Sequence, residues 1–367
     1  MYPGYIKPVI LTATFLIILS IFSPIYSQWD LARIAVNARS GSLAVDSSGT
    51  IHTAFLKRPY GSDVGYAIKS GNQWTTETLT HSGEVYGAAL ALDQEYAPHI
   101  IYSEANPFTF NFTLKHITYT DSGWSPPAPI ITSESDKMFW SPSIQIDKNN
   151  YIHIIYLLTD SDGGSGVIHY LTNASGNWES QALNSKYQNP ASYHVAMDLD
   201  SEGHVHIASY FPALGGPGYM TNSPNGQWSG SQLIQQNWYG GQLEFLIIDI
   251  AIDTDNNPHV SYVGSYDGSA VEHYMYATKD SPTANWNFQK IDEGSWSSTG
   301  NAIVSDIYDI EHIAYYHVES GELRYAMNYS GSWPHKTIDK LAGTTNNYLR
   351  NVDITGDQDG FIHIVYE

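Results

Sequence analysis

The stretch SIQIDKNNYIHIIYLL (143–158) decides the fold. Its first five residues, SIQID, make a short strand that ends on Asp147. KNN then offers the Asn-rich chemistry of a tight turn, and YIHIIYLL (151–158) alternates as a second, largely buried strand. A third strand, VIHYLT (167–172), follows a longer loop. SGNW (175–178) turns into a fourth strand near Trp178. Each run is short and bounded by Gly, Asn, Asp or Ser, which suits hairpins and not helices.

The same unit recurs along the chain. An Asp is followed six residues later by a His at Asp46–His52, Asp93–His99, Asp147–His153, Asp200–His206, Asp253–His259, Asp306–His312 and Asp357–His363. Successive histidines stand 47, 54, 53, 53, 53 and 51 residues apart. Three residues past the His an aromatic follows: Phe55, Tyr102, Tyr156, Tyr262, Tyr315 and Tyr366. The fourth copy instead has Ser209 and then Tyr210. A second aromatic comes next, at Tyr66, Tyr119, Tyr170, Tyr219, Tyr276 and Tyr325. Within ten residues of each stands a Trp: Trp74, Trp124, Trp178, Trp228, Trp286 and Trp333. Units of about 50 residues with four strands each predict an all-β, seven-bladed β-propeller of antiparallel blades.

The chain ends bear on closure. Residues 1–27 carry Lys7, the apolar run VILTATFLIILSIF (9–22) and a small residue at Ser27, the pattern of a signal peptide. The run is shorter than the roughly 20 apolar residues a bilayer span needs. The expected domains are therefore 1–27, a signal peptide, and 28–367, the propeller. Trp29 in QWDLARIAV (28–36) reads as a fourth strand with no unit before it, whereas 349–366 supplies only a first and second strand. The N-terminal strand would close the last blade, leaving that blade one strand short or the chain a truncated form of a longer one.

Composition narrows the function. There are 16 Lys and Arg against 37 Asp and Glu, a net charge of −21, which repels phosphate backbones and anionic membranes. Nucleic acid is excluded on that ground. Cysteine is absent, so closure rests on packing and hydrogen bonds and no lipid-anchoring Cys exists. The sequons at Asn111, Asn173 and Asn328 matter only in a glycosylating host.

The blade pattern of Asp, short turn, His, aromatic, then Tyr-Ala (66–67, 276–277, 325–326) and SGNW or SGSW (175–178, 330–333) resembles secreted BNR-type propellers of the sialidase-like superfamily. The resemblance covers residues 28–367. It implies the fold and a carbohydrate-related setting, but its motifs mark blades and not an activity. No copy holds the intact S-x-D-x-G-x-T-W box. The arginine cluster that a sialidase implies is poorly matched by Arg33, Arg39, Arg58, Arg324 and Arg350.

The seven Asp–His pairs read first as hairpin locks, because every blade has one and a catalytic site needs one only. DTDNN (253–257) and DQDGF (357–361) look like acidic calcium loops but lack the full ligand series, and turn chemistry explains them. Aromatics outside the repeat are better ligand candidates. Trp140, Trp238 and Trp296, with Tyr187, Tyr193 and Tyr239, fall in the loops joining one blade to the next, which share one face. With neighbouring Asn and Gln they suit stacking on sugar rings. The resulting expectation is a secreted or cell-surface, lectin-like monomer that binds neutral glycans, with no cofactor, no metal and no catalytic residue assigned. The alternatives are a carbohydrate-active hydrolase or lyase on the same face, in which carboxylates such as Asp160, Asp162 and Asp267 could act, and a scaffold that binds a cell-surface protein.

Overall fold

A computed structural model of the chain describes residues 16–20, 29–35, 38–57, 63–80, 84–160, 165–184, 187–188, 194–211, 214–235, 247–265, 272–281, 284–293, 300–340 and 351–367. These residues form an all-β propeller of four-stranded antiparallel blades. Blade one runs Ala38–Val45, Ile51–Lys57, Asp63–Ser70, Gln73–Thr78 from the axis outward. Blade three follows the quoted stretch: Lys137–Ile146, Ile152–Asp160, Ser165–Thr172, Glu179–Ala182. Blades two, four, five and six repeat this order.

Six blades are thus built from consecutive strands. The expected seven blades are corrected to six of this kind, because the remaining sheet is a composite of the two chain ends whose missing third strand comes from residues 16–20. Its order is Val352–Gly356, Ile362–Tyr366, Leu16–Ser20, Trp29–Arg33. Trp29 lies on the outermost strand, where the sequence placed it. The third strand comes from the apolar N-terminal run, with Leu16 opposite Tyr366 and Leu19 opposite His363. Neighbouring innermost strands contact one another around the whole ring, this sheet included.

The Asp–His unit has one arrangement but a varying reach, from a 2.8 Å hydrogen bond at His363 to ion-pair distances of 3.6 Å at His153 and 3.7 Å at His52. In blade six Asp306 accepts the backbone N–H of Tyr308 (2.8 Å) and Ile310 (2.9 Å) on one oxygen, shaping the turn. Its other oxygen accepts His312 Nε2–H at 3.0 Å. The Tyr325 hydroxyl donates to His312 Nδ1 at 2.5 Å. His–Tyr contacts of 2.6 Å recur at His52–Tyr66, His153–Tyr170, His206–Tyr219 and His259–Tyr276. Blade two departs from the expectation at Tyr119. That residue is exposed, and His116 takes its place, 2.9 Å from His99 Nδ1. Neutral imidazoles suit this arrangement, and burial holds His52, His99 and His153 below the usual histidine range against the pull of their aspartates.

Packing joins the blades. Phe55, Tyr102, Tyr156, Tyr262, Tyr315 and Tyr366 are wholly or almost wholly buried, each contributing about 2–3 kcal/mol relative to exposure. In blade four Ser209 donates to the His194 carbonyl, while Tyr210, one residue on and so on the other face, reaches the Val263 carbonyl of blade five. The third-strand aromatic of each blade meets the Trp of the next edge to face or tilted. These pairs are Tyr66–Trp124, His116–Trp178, Tyr170–Trp228, Tyr219–Trp286 and Tyr276–Trp333, and Tyr325–Trp29 carries the series into the composite sheet. At the turn face, left-handed Asn150, Asn256 and Asp309 each accept an N–H from the preceding blade, at Gln94, Ser201 and Thr254. Asn and Asp tolerate that conformation, so a local turn requirement also clips blades together.

Candidate functional site

The innermost strands leave a cavity of about 1340 Å³ along the ring axis. Its wall is mostly Ala, Ser and apolar side chains, because seven radial sheets converge there and bulk is excluded. Four residues before the lock Asp, the position holds Ser42, Ala89, Ser143, Ala196, Asp249, Ala302 or Asp353. Two residues before it stand Ala44, Ala91, Gln145, Asp198, Ala251, Val304 or Thr355. Asp198, Asp249 and Asp353 therefore put three half-buried carboxyls on a wall of small residues, and Glu367 adds a fourth. No Lys or Arg is among the described residues lining the cavity.

Each of the three aspartates spans a blade junction. Asp198 accepts Ile252 N–H, Asp249 accepts Ile303 N–H, both at 2.8 Å, and Asp353 accepts Leu43 N–H at 2.7 Å. Ser42 does the same for Leu90 at 3.1 Å. These bonds satisfy N–H groups of strands that have no ladder partner on the axial side. They also fix each carboxyl, and every oxygen keeps a lone pair for another donor.

Electrostatics separate these aspartates from the lock aspartates. Burial raises Asp198 and Asp353 to about 6, against the lowering effect of their backbone bonds. Burial pushes Asp249 well above the carboxylate range, and the nearby Asp353 and Asp198 add to the rise. The lock carboxyls of Asp253 and Asp306 move the opposite way: burial opposes the charge, but His259 or His312 and the turn N–H groups outweigh it. His194, on the same cavity wall, is lowered by burial to about 4.

Of the six aromatic residues expected to form the site, two, Trp140 and Tyr187, lie among the described residues. Trp140 lies in the strand Lys137–Ile146, beside a bulge where Ser141 has φ 47°, half-buried on the cavity wall and packed against the core shared by blades three and four. Tyr187 starts the short strand Tyr187–Gln188, opposite Gly166. Tyr193, Trp238, Tyr239 and Trp296 lie outside the described residues, as do Asp162 and Asp267. Asp160 pairs with Lys137. The loops read as calcium-like use Asp253 and Asp357 for their own turn and for His259 and His363. Sequence reading missed the axial aspartates. The signal was a second acid interleaved before the lock Asp in VAMDLD (195–200), IDIAID (248–253) and VDITGD (352–357).

No family model and no curated protein matches the chain. Solved structures do resemble it in fold. The Hadza microbial sialidase Hz136 superposes with a TM-score of 0.52 at 12% identity over 77% of this chain, which spans 63% of that sialidase. A triple-arginine mutant of AofleA from Arthrobotrys oligospora gives 0.53 at 11%, over 82% of this chain and 86% of that one. The α-L-arabinofuranosidase Arb93A from Fusarium graminearum gives 0.50 at 11%, over 97% and 98%. At such identities the likeness is one of propeller architecture alone.

Proposed function

We propose that the protein is a carbohydrate-active enzyme that hydrolyses a neutral glycan at the axial cavity, with Asp249 as general acid and Asp353 as its carboxylate partner. The carrying observation is a cavity lined by carboxyls with no Lys or Arg among its described residues, where burial and neighbouring aspartates push Asp249 well above the ordinary carboxylate range. Glycoside hydrolysis needs such an unequal pair. Asp249 would protonate the departing glycosidic oxygen, while Asp353, ionised above about 6, would assist water or bond to the sugar carbon. Burial keeps Asp249 protonated, with charge repulsion from Asp353 and then Asp198 adding to it. Two of the resembling folds are named as a sialidase and an arabinofuranosidase, which supports a carbohydrate substrate. The net charge of −21 favours a neutral sugar over a sialylated one.

The test is Asp249→Asn. The amide oxygen still accepts Ile303 N–H, so the junction survives. A carboxyl whose folded pKa is raised opposes folding at every pH above its ordinary range, and that penalty fades only as acid reprotonates it. The variant should therefore be as stable as the parent at pH 4 and more stable at pH 7, while glycan hydrolysis falls at least about a hundredfold. Turnover retained by Asp249→Asn, or absent from the parent across neutral polysaccharides, overturns the assignment. Binding without turnover would leave a secreted recognition module as the reading.

A further inference from the structure

The loop joining the second and third strands of blade two, residues 106–111 (NPFTFN), leaves two large apolar rings in water: Phe108 is 89% exposed and Phe110 67%. The loop is rigid. Asn106 Oδ1 accepts the N–H of Phe108 (2.9 Å) and Thr109 (3.3 Å), and its carbonyl accepts Phe110 N–H at 3.0 Å. Asp136 N–H holds the Phe110 carbonyl from the neighbouring segment. Phe110 itself sits at φ 54°, a left-handed conformation disfavoured for an aromatic side chain. A loop braced at this many points, with a strained Phe and no burial in return, positions its rings for something outside the chain.

The place of the loop indicates what. Second-to-third strand loops emerge opposite the lock turns, on the face where the blade-to-blade loops open toward the axis. Phe112, at the foot of the loop, packs edge to face on Tyr86 at 5.4 Å, and Tyr86 lines the axial cavity. Buried Phe112 thus joins the foot of the loop to the cavity wall, and Phe110 and Phe108 stand exposed beyond it in sequence. The flanking charges are mostly acidic: Glu84, which accepts the Tyr86 hydroxyl, and Glu134 and Asp136 beside the loop, while Lys137 is paired with Asp160. An anionic polymer or membrane would be repelled there. We infer that Phe108 and Phe110 form an outer stacking subsite for a neutral polysaccharide whose chain extends from the axial cavity across blade two. This rests on the carbohydrate reading above and adds polymer length as its specificity.

The experiment is native affinity electrophoresis in gels containing soluble arabinan, mannan, xylan or mixed-linkage glucan. The parent and Phe108→Ala/Phe110→Ala are run side by side. At least one polymer should retard the parent, with the apparent Kd about tenfold weaker for the double Phe variant. Hydrolysis of a short aryl glycoside by the double Phe variant should equal that of the parent. Equal retardation of parent and double variant overturns the subsite. So does a parent retarded by none of the polymers, or a double variant that loses only self-association or binding to zwitterionic vesicles. Because retardation is read without turnover, loss of the hydrolase assignment alone leaves the subsite standing.

Discussion

Blade six and the composite sheet contain the same Asp–His unit in two states. In blade six Asp306, His312 and Tyr325 form an unbroken relay, with both ring nitrogens of the histidine engaged. In the composite sheet Asp357 meets His363 Nε2 at 2.8 Å, yet the buried Nδ1 has no hydrogen-bond partner among the described residues. Register explains the difference. The lock Tyr always stands two residues before the residue opposite the His: Tyr325 before Met327, Tyr170 before Thr172, Tyr66 before Ile68. Opposite His363 stands Leu19, so the corresponding position is Ile17. The turn half of the lock is thus encoded by the first two strands, and the hydroxyl half by the third. A third strand from outside the repeat supplies the ladder but not the hydroxyl.

Breaking the shared half should cost most. Asp306→Ala removes two turn bonds and the histidine contact and leaves buried donors unpaired, which predicts a loss of about 3–4 kcal/mol by urea denaturation. The unshared half is probed by a pair. His312→Leu should cost about 2 kcal/mol and His363→Leu about half that, since one has two hydrogen bonds to lose and the other has one; Tyr325→Phe, about 1 kcal/mol, should make blade six resemble the composite sheet. Equal costs for the two histidines would show that the missing hydroxyl has no energetic meaning. The smallest effect is a slope. His363 is held below the usual histidine range by burial, so its share of stability is present above the unfolded value near 6.5 and is lost as pH falls toward its folded value. His363→Gln should flatten the decline of Tm between pH 7 and 5 without altering the plateau above it.

Much of this was legible from residues whose roles are local. An Asp that caps its own turn and a His six residues on require nothing distant, so the spacing alone gave the locks. The eight residues from Tyr66 to Trp74, Tyr170 to Trp178 and Tyr325 to Trp333 also measure His116 to Trp124, and that spacing identifies His116 rather than Tyr119. Leu16–Ser20 was not legible, because an apolar run before a small residue reads as a leader whatever strand it pairs with. The axial aspartates were hidden for another reason. In a strand of alternating apolar residues an acid looks like a solvent-facing position, and only closure of the ring turns that side toward a shared cavity. Trp140 reads from the sequence as part of a loop joining two blades; the innermost strand Lys137–Ile146 carries it instead, and its neighbours in the core of blades three and four were not legible from a loop position.

The composite sheet also orders events in time. Blades one to six each close over a few tens of residues, so each can form as soon as its own fourth strand has left the ribosome. The strand Trp29–Arg33 must wait. Its place is next to Leu16–Ser20, which pairs with Ile362–Tyr366, and that partner is made only after all six blades. Throughout synthesis the nascent chain therefore carries unpaired strand edges at its N-terminal end and at the growing rim of blade six. Joining such distant segments costs only slightly more entropy than joining near ones, but the delay leaves those edges open to strands of other chains. Synthesis of Ile362–Tyr366, rather than of any single blade, sets the moment at which these edges can be covered.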